Sequence, residues 1–434
     1  MAGAALAVGV MGPASPATAR GVPQVVGVDV VVQVGPLGAA VTAVALEYDR
    51  SISARPGTLD ETAFVVEVTL DDVTSARTVT DAYVSGSAEP GAPRRSGRFL
   101  VVALDPADAN ASVLAYDGEL NHRIDLDGAY TVDLRDDLVD RSGRVVVPAT
   151  VDALANDDVV TPVVDDFVQR STTASSGVRL RYGLFSPDVD RAGAELVPLV
   201  VALHGAGERG TDGHVQLLAN ELGVAFAAPS RQQSDPSFVL VPQAPPPSVQ
   251  PVGDWVGVWD VPEVQSALLE LVDRTIAQHP VDPDRVYVTG LSMGSMGTFQ
   301  VLAERPDLFA AALPVTGYAD PRFASVFAAV PTWATHSVDD EAVPFDHPYS
   351  DWNLLTAIEA TGAAVTRDEW AANLPDAENE ARAQAQWDRA RAEGSHTLFT
   401  AWTAGTTPVN AHFAWVPTYS NDIMVDWLYS HERG

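Results

Sequence analysis

The pentapeptide Gly290-Leu291-Ser292-Met293-Gly294 constrains the fold of this chain more than any other feature. It follows the β-branched run Val286 to Thr289 and precedes Gly294 to Glu304, which reads as a helix. A serine between two glycines at a strand-to-helix junction implies a very sharp turn. The backbone at the serine is strained and its hydroxyl stands exposed above the strand end. Glycines at 290 and 294 let strand and helix approach with no Cβ between them.

A serine hydroxyl needs a base to become a nucleophile, and the base needs an acid to fix its tautomer. On such a turn the acid follows the serine in the chain and the histidine follows the acid. The histidines downstream are 336, 347, 396, 412 and 431. His336 ends a predicted buried strand and is expected to bond locally. His347 and His396 lie in or beside an insertion, and His431 is terminal. His412 lies in a loop after the last predicted strand, where the base belongs. The acid is expected in Ser337-Val338-Asp339-Asp340-Glu341, after the strand Thr332 to His336. Spacing alone does not separate Asp339 from Asp340, and Glu341 is a weaker third. A developing oxyanion needs backbone N–H groups. Met293 offers one, and the glycine-rich turn His204-Gly205-Ala206-Gly207 offers a second at Ala206.

Two regions differ in pattern. From about 24 to 165, seven short runs rich in Val, Thr and aromatics alternate with turn residues: Val25 to Val32, Val41 to Tyr48, Phe64 to Leu70, Thr78 to Val84, Phe99 to Leu104, Tyr130 to Leu134 and Arg144 to Val147. They predict an all-β, immunoglobulin-like sandwich. Its histidine, His122, lies in the polar stretch Glu119 to Arg123 and belongs in a surface loop. Val151 to Ser176 is polar and turn-rich, which puts a domain boundary near 165. From 166 to 434 strands alternate with helices. Strands are expected over Val178 to Phe185, Pro198 to Leu203, Ala225 to Ala228, Phe238 to Val241, Ala310 to Val315 and Thr397 to Trp402, and helices over Glu263 to Gln278 and Asp376 to Glu393. This predicts an α/β domain, a mostly parallel sheet with helices on both faces. Asp376 to Glu393 reads either as a solvated helix or as part of a cap.

Charge and composition exclude some functions. With 58 acidic and 26 basic residues the net charge is -32, which opposes phosphate backbones and anionic headgroups, so nucleic acid is not an expected partner. With no cysteine there is no disulfide or thiolate chemistry. No apolar run reaches the ~20 residues that span a bilayer. Residues 1–19 read as a signal peptide, with Ala17-Thr18-Ala19 as its cleavage site. The mature protein is then expected to be secreted or extracytoplasmic.

Pro198 to Gly210, which includes His204-Gly205-Ala206-Gly207-Glu208-Arg209-Gly210, resembles the oxyanion segment of the polyhydroxybutyrate-depolymerase-like and "predicted peptidase" esterases. Asp284 to Gly294 is similar to that family's nucleophile segment, Trp333 to Pro344 to its acid loop, and Asn410 to Trp415 to its base loop. The likeness covers roughly 178 to 430, with Ser337 and Ser295 where glycine is usual. It implies the α/β-hydrolase fold, a leading immunoglobulin-like domain, and Asp340 as the acid. It also implies a serine hydrolase and leaves the substrate open; the triad chemistry points to a carboxylic ester hydrolase acting through an acyl-enzyme, expected on short to medium acyl esters. A serine peptidase or a polyester depolymerase is the alternative on the same fold. No cofactor and no metal is expected, since serine, imidazole and backbone N–H groups supply the chemistry. Trp255 and Trp333 are weaker candidates for lining the substrate pocket. The expected partner is a small-molecule or polymeric ester, with self-association into a homo-oligomer through the β domain.

Overall fold

The computed structural model describes residues 22–55, 59–140, 142–188, 196–246 and 258–434. The expected signal segment 1–19 and the pocket candidate Trp255 lie outside the described residues.

The first region is a two-sheet sandwich. One sheet runs in the order Asp158–Val160, Val25–Gly35, Gly38–Ile52, Gly97–Leu104, Val79–Ser85. The other runs Leu154–Ala155, Tyr130–Leu134, Phe64–Leu70, Val73–Arg77. Alternation along the strands sends Val30, Val41, Leu46, Val66, Val68, Leu100, Val102 and Val132 into a shared apolar core. Buried Arg77 ties the sheets together, donating to the Asp108 carboxylate, the Tyr130 hydroxyl and the Val41 and Asp105 carbonyls.

The second region is built on a nine-stranded sheet. Its order is Val168–Thr173, Arg179–Phe185, Phe238–Gln243, Val197–Leu203, Val281–Leu291, Ala311–Val315, Thr332–Ser337, Thr397–Trp402, Val365–Trp370. Arg179–Phe185 is antiparallel to both of its neighbours, and the remaining pairings are parallel. The central strands are apolar runs buried along their whole length, as helices on both faces require. Pro262–Gln278, opened by its proline, packs Val264, Leu268, Leu271 and Val272 on one face, while Met293–Glu304 is almost wholly buried. Among the described residues no helix is long and apolar enough to cross a membrane.

Four local expectations change. Ala225 to Ala228 is a helical turn, Val224–Ala227, because Phe238–Gln243 occupies the sheet position; the turn buries Phe226 against Tyr419 and Tyr429. Val151 to Ser176 is not turn alone: Asp158–Val160 joins the first sheet and Val168–Thr173 the second. The polar stretch around His122 is the second arm of a hairpin, Leu114–Tyr116 with Asn121–Arg123. Asp376–Glu393 is a covering helix of the sheet rather than a cap or a solvated rod. Asn379, Ala383, Gln386 and Ala390 form its buried face, and Gln386 donates to the Thr366 and Phe399 carbonyls. Gly394 ends it in the left-handed conformation, at φ 65°.

Candidate active site

Ser292 sits at the carboxyl end of Val281–Leu291 with φ 54° and ψ -119°, a region that non-glycine residues avoid. Its neighbours explain how that conformation persists. A Cβ on Gly294 would lie 1.8 Å from the Leu203 carbonyl oxygen, and one on Gly290 would lie 2.2 Å from the Gly294 oxygen. Strand and helix are pressed together at those two points, and the Ser292 N–H is fixed to the Val315 carbonyl at 3.0 Å.

The structure brings three of the expected side chains into line. Ser292 Oγ lies 3.0 Å from His412 Nε2, and His412 Nδ1 lies 2.8 Å from Asp340 Oδ2. With Nδ1 donating to a carboxylate, Nε2 is left free to accept the serine proton. Asp339 and Glu341 are not part of this line: Asp339 is exposed and accepts the Gly405 N–H instead.

Asp340 is buried but amply supplied with donors. Oδ2 also accepts from Thr316 Oγ1 at 2.6 Å, and Oδ1 accepts the Ala342 and Val343 N–H groups, each at 2.9 Å. His336 Nε2 is 3.6 Å away. Burial alone would raise this carboxyl, but the close approach of the His336 ring and the hydrogen bond of His412 outweigh it and hold Asp340 far below the ordinary range. His336 is expected to bond locally, and it does. Nε2 faces the Val343 carbonyl at 2.9 Å and Nδ1 the Asp351 carboxylate at 3.1 Å. A carbonyl on one side and a carboxyl on the other favour protons on both nitrogens, the cationic form. Burial opposes that charge, yet the Asp340 and Asp351 carboxylates pull its pKa up to about 9. Burial pushes the enclosed Asp351 carboxyl up against the pull of His336.

Across the serine, the expected oxyanion donors lie on two adjoining segments. Met293 is the first residue of its helix, so its N–H has no intrahelical partner. Ala206 opens a short 3-10 turn, Ala206–Glu208, behind Gly205, where a Cβ would meet Leu291 Cδ1 at 2.9 Å. His204 anchors that loop. Its Nε2 accepts the Ala244 N–H and its Nδ1 donates to the Gly205 carbonyl, which fixes a neutral tautomer; burial lowers its pKa to about 4.

Trp333 does not line a pocket. It is 0% exposed on the strand Thr332–Ser337, edge-on to Trp427, with its indole N–H donated to Thr400 Oγ1. A parallel strand covered on both faces buries its alternate residues either way, and proximity to the acid loop gave Trp333 no access to the cleft. The residues that the sequence reading missed are Asn121 and Glu208, which meet beneath the oxyanion loop.

Comparison with known proteins agrees with this architecture. The "Esterase Ig-like N-terminal domain" family matches residues 27–147, and the "Prolyl oligopeptidase family" matches 262–348, a span holding Ser292 and Asp340. A poly(3-hydroxyalkanoate) depolymerase C from Paucimonas lemoignei is 32% identical over 126 residues, which is 28% of this chain and 28% of that one. A crystal structure of a thermostable esterase superposes with a TM-score of 0.79 at 29% identity, covering 94% of this chain and 100% of that chain. The chain is therefore an esterase of the α/β-hydrolase type, fronted by an esterase Ig-like domain.

Proposed function

We propose that the chain hydrolyses carboxylic esters of short to medium acyl chain through an acyl-enzyme on Ser292. The observation that carries this reading is the unbroken line from Ser292 Oγ through His412 to Asp340, at 3.0 and 2.8 Å. His412 takes the serine proton as Oγ attacks the ester carbonyl. The Met293 and Ala206 N–H groups receive the oxyanion, and the returning proton leaves with the alcohol. Water then repeats the sequence on the acyl-enzyme and regenerates Ser292. Asp340 holds the imidazole in register and stabilises its charge throughout.

Two narrower readings have support of their own. The prolyl oligopeptidase match over 262–348 favours a peptidase, and the depolymerase relative favours a polyester. We favour simple esters, because an alkoxide leaves more readily than an amine. The division of labour we propose assigns residues 24–165 to the Ig-like module and 166–434 to catalysis, in a secreted or extracytoplasmic protein that self-associates through the first module.

Matched p-nitrophenyl esters and anilides, a feruloyl ester, an acetylated polysaccharide and a polyester, assayed side by side, test the substrate class. Amide turnover equal to ester turnover would favour the peptidase. Ser292→Ala should lower kcat by about 10⁴- to 10⁶-fold with the fold retained; a variant keeping a tenth of the activity would end the assignment of Ser292.

A further inference from the structure

The hairpin Leu114–Tyr116/Asn121–Arg123 belongs to the Ig-like module, yet it touches the oxyanion loop at three successive residues. Asn121 Nδ2 donates to the Glu208 carboxylate at 3.2 Å and reaches the Gly207 carbonyl at 3.4 Å. Arg209 donates to Glu119 at 3.2 Å and, through Nε, to the Ala206 carbonyl at 2.7 Å. The Tyr116 ring borders the same backbone: a Cβ on Gly207 would lie 3.8 Å from its Cε2 and 3.0 Å from Asn121 Nδ2. Glu208 itself is 7% exposed and folds back beneath the loop, where a Cβ on Gly205 would lie 3.1 Å from its Oε2. That oxygen has no hydrogen-bond partner, so Asn121 is the side-chain donor to a buried carboxyl under the Gly205–Ala206 peptide.

We propose that Asn121 and Glu208 are a positioning pair through which the Ig-like module holds the oxyanion loop in its reactive geometry. The inference rests on the reading of Ser292 as nucleophile and of Ala206 as an oxyanion donor. An oxyanion hole acts on charge that develops in the transition state, so a slackened loop lowers kcat and spares substrate binding. A displacement of about 1 Å is enough to cost on the order of 10²-fold.

The groups facing Glu208 are few. His204, 3.9 Å away, is neutral; Arg209 is committed to Glu119; Asn121 closes the third side. Burial pushes the Glu208 carboxyl up to about 7, against the pull of the Gly205 N–H and Asn121. A carboxyl put in place of the Asn121 amide would therefore share a proton with Glu208 in mild acid, while the two would repel once both ionise.

The test uses the full chain with Asn121→Ala and Asn121→Asp, each titrated with a fluorophosphonate so that kcat is counted per competent site and misfolded protein drops out. Asn121→Ala should lower kcat at least tenfold with KM within twofold, by a factor independent of pH. For Asn121→Asp the activity relative to wild type should fall progressively from pH 6 to pH 9. Values of kcat per site within twofold of wild type in both variants would overturn the pair while leaving Ser292 in place. A wild-type protein that neither labels nor turns over esters would sink both readings.

Discussion

Ser292 is flanked by two buried carboxyl groups that have been given opposite fates. Asp340, on the base side, accepts from His412, Thr316 and two backbone N–H groups, with cationic His336 close by. Glu208, on the oxyanion side, has one side-chain donor, from the other module, the pull of the Gly205 N–H, and one oxygen without a hydrogen-bond partner. Burial is common to both, so burial does not set the charge. The supply of donors does: it holds Asp340 ionised and leaves Glu208 near its titration point in neutral solution. That fits the proposed roles, since a triad acid needs a permanent charge, whereas a loop support needs shape and a hydrogen bond.

The sharpest way to break this comparison is to remove each charge without changing shape. Asp340→Asn should lower kcat by about 10⁴-fold, since the amide presents the wrong partner to His412 Nδ1. Glu208→Gln keeps an oxygen for Asn121, and Asp339→Asn touches only the Gly405 N–H, so each should stay within about fivefold of wild type. Steady-state rates on one p-nitrophenyl ester, at one pH, decide it. If Glu208→Gln fell as far as Asp340→Asn, the two carboxyls would be doing equivalent electrostatic work. If Asp339→Asn fell furthest, the acid would be misassigned by one residue.

Next in size is the buried cation behind Asp340. His336→Gln strands Asp351, which has no exposure and one oxygen already without a partner, so it should destabilise the protein by about 3–5 kcal/mol. The pH dependence has a definite sign. His336 holds its proton to about 9 in the folded chain, against 6.5 when unfolded. Its contribution is complete below pH 6.5 and is lost as the pH rises through 9. Wild-type Tm should therefore drop between pH 7 and pH 10, and His336→Gln should show a shallower slope over that interval. Parallel slopes would mean that the ring is neutral in the folded state.

The comparison also marks how far the sequence could be read. The Asp340 side left marks in the sequence because its parts are local or ordered along the chain, although only the family resemblance separated Asp340 from Asp339. Two glycines bracket the serine, an acidic loop follows a buried strand, and one of the two histidines after the last strand lies in a loop rather than at the terminus. The glycine contacts at 1.8 and 2.2 Å show why those residues announce themselves: nothing larger fits. The Glu208 side was not legible. Asn121 and Glu208 are 87 residues apart, and the polar run Glu119 to Arg123 reads as solvated because periodicity reports a segment's own faces and not what another module brings to them. The edge strand Val365–Trp370 escaped for a related reason, since its centre is Thr-Arg-Asp-Glu; it pairs with Thr397–Trp402, and side chains of the helix Asp376–Glu393 donate to the Thr366 and Arg367 carbonyls. Trp333 was misread in the opposite direction, as an aromatic beside a catalytic loop that in fact belongs to the core.

A third carboxyl completes the series and makes the smallest, cleanest prediction. Glu221 lines a cavity of about 310 Å³ between the two modules, together with Gln33, Val34, Arg231 and Tyr419. Burial pushes its carboxyl up to about 7, with no second cause acting on it. If donor supply is what separates Asp340 from Glu208, then Glu221, with burial alone, should be a plain liability once ionised. Below pH 4.5 both folded and unfolded chains hold the proton and nothing is lost. Between 4.5 and 7 the unfolded chain releases it first, so stability declines across that window, and above 7 the deficit is constant. Glu221→Gln removes the liability and fits the same space. At pH 8 it should raise Tm by a few degrees, as about 1 kcal/mol does in a domain of this size. At pH 4.5 the variant and wild type should melt together. An equal gain at both pH values would mean that the glutamine packs better and that the charge never mattered.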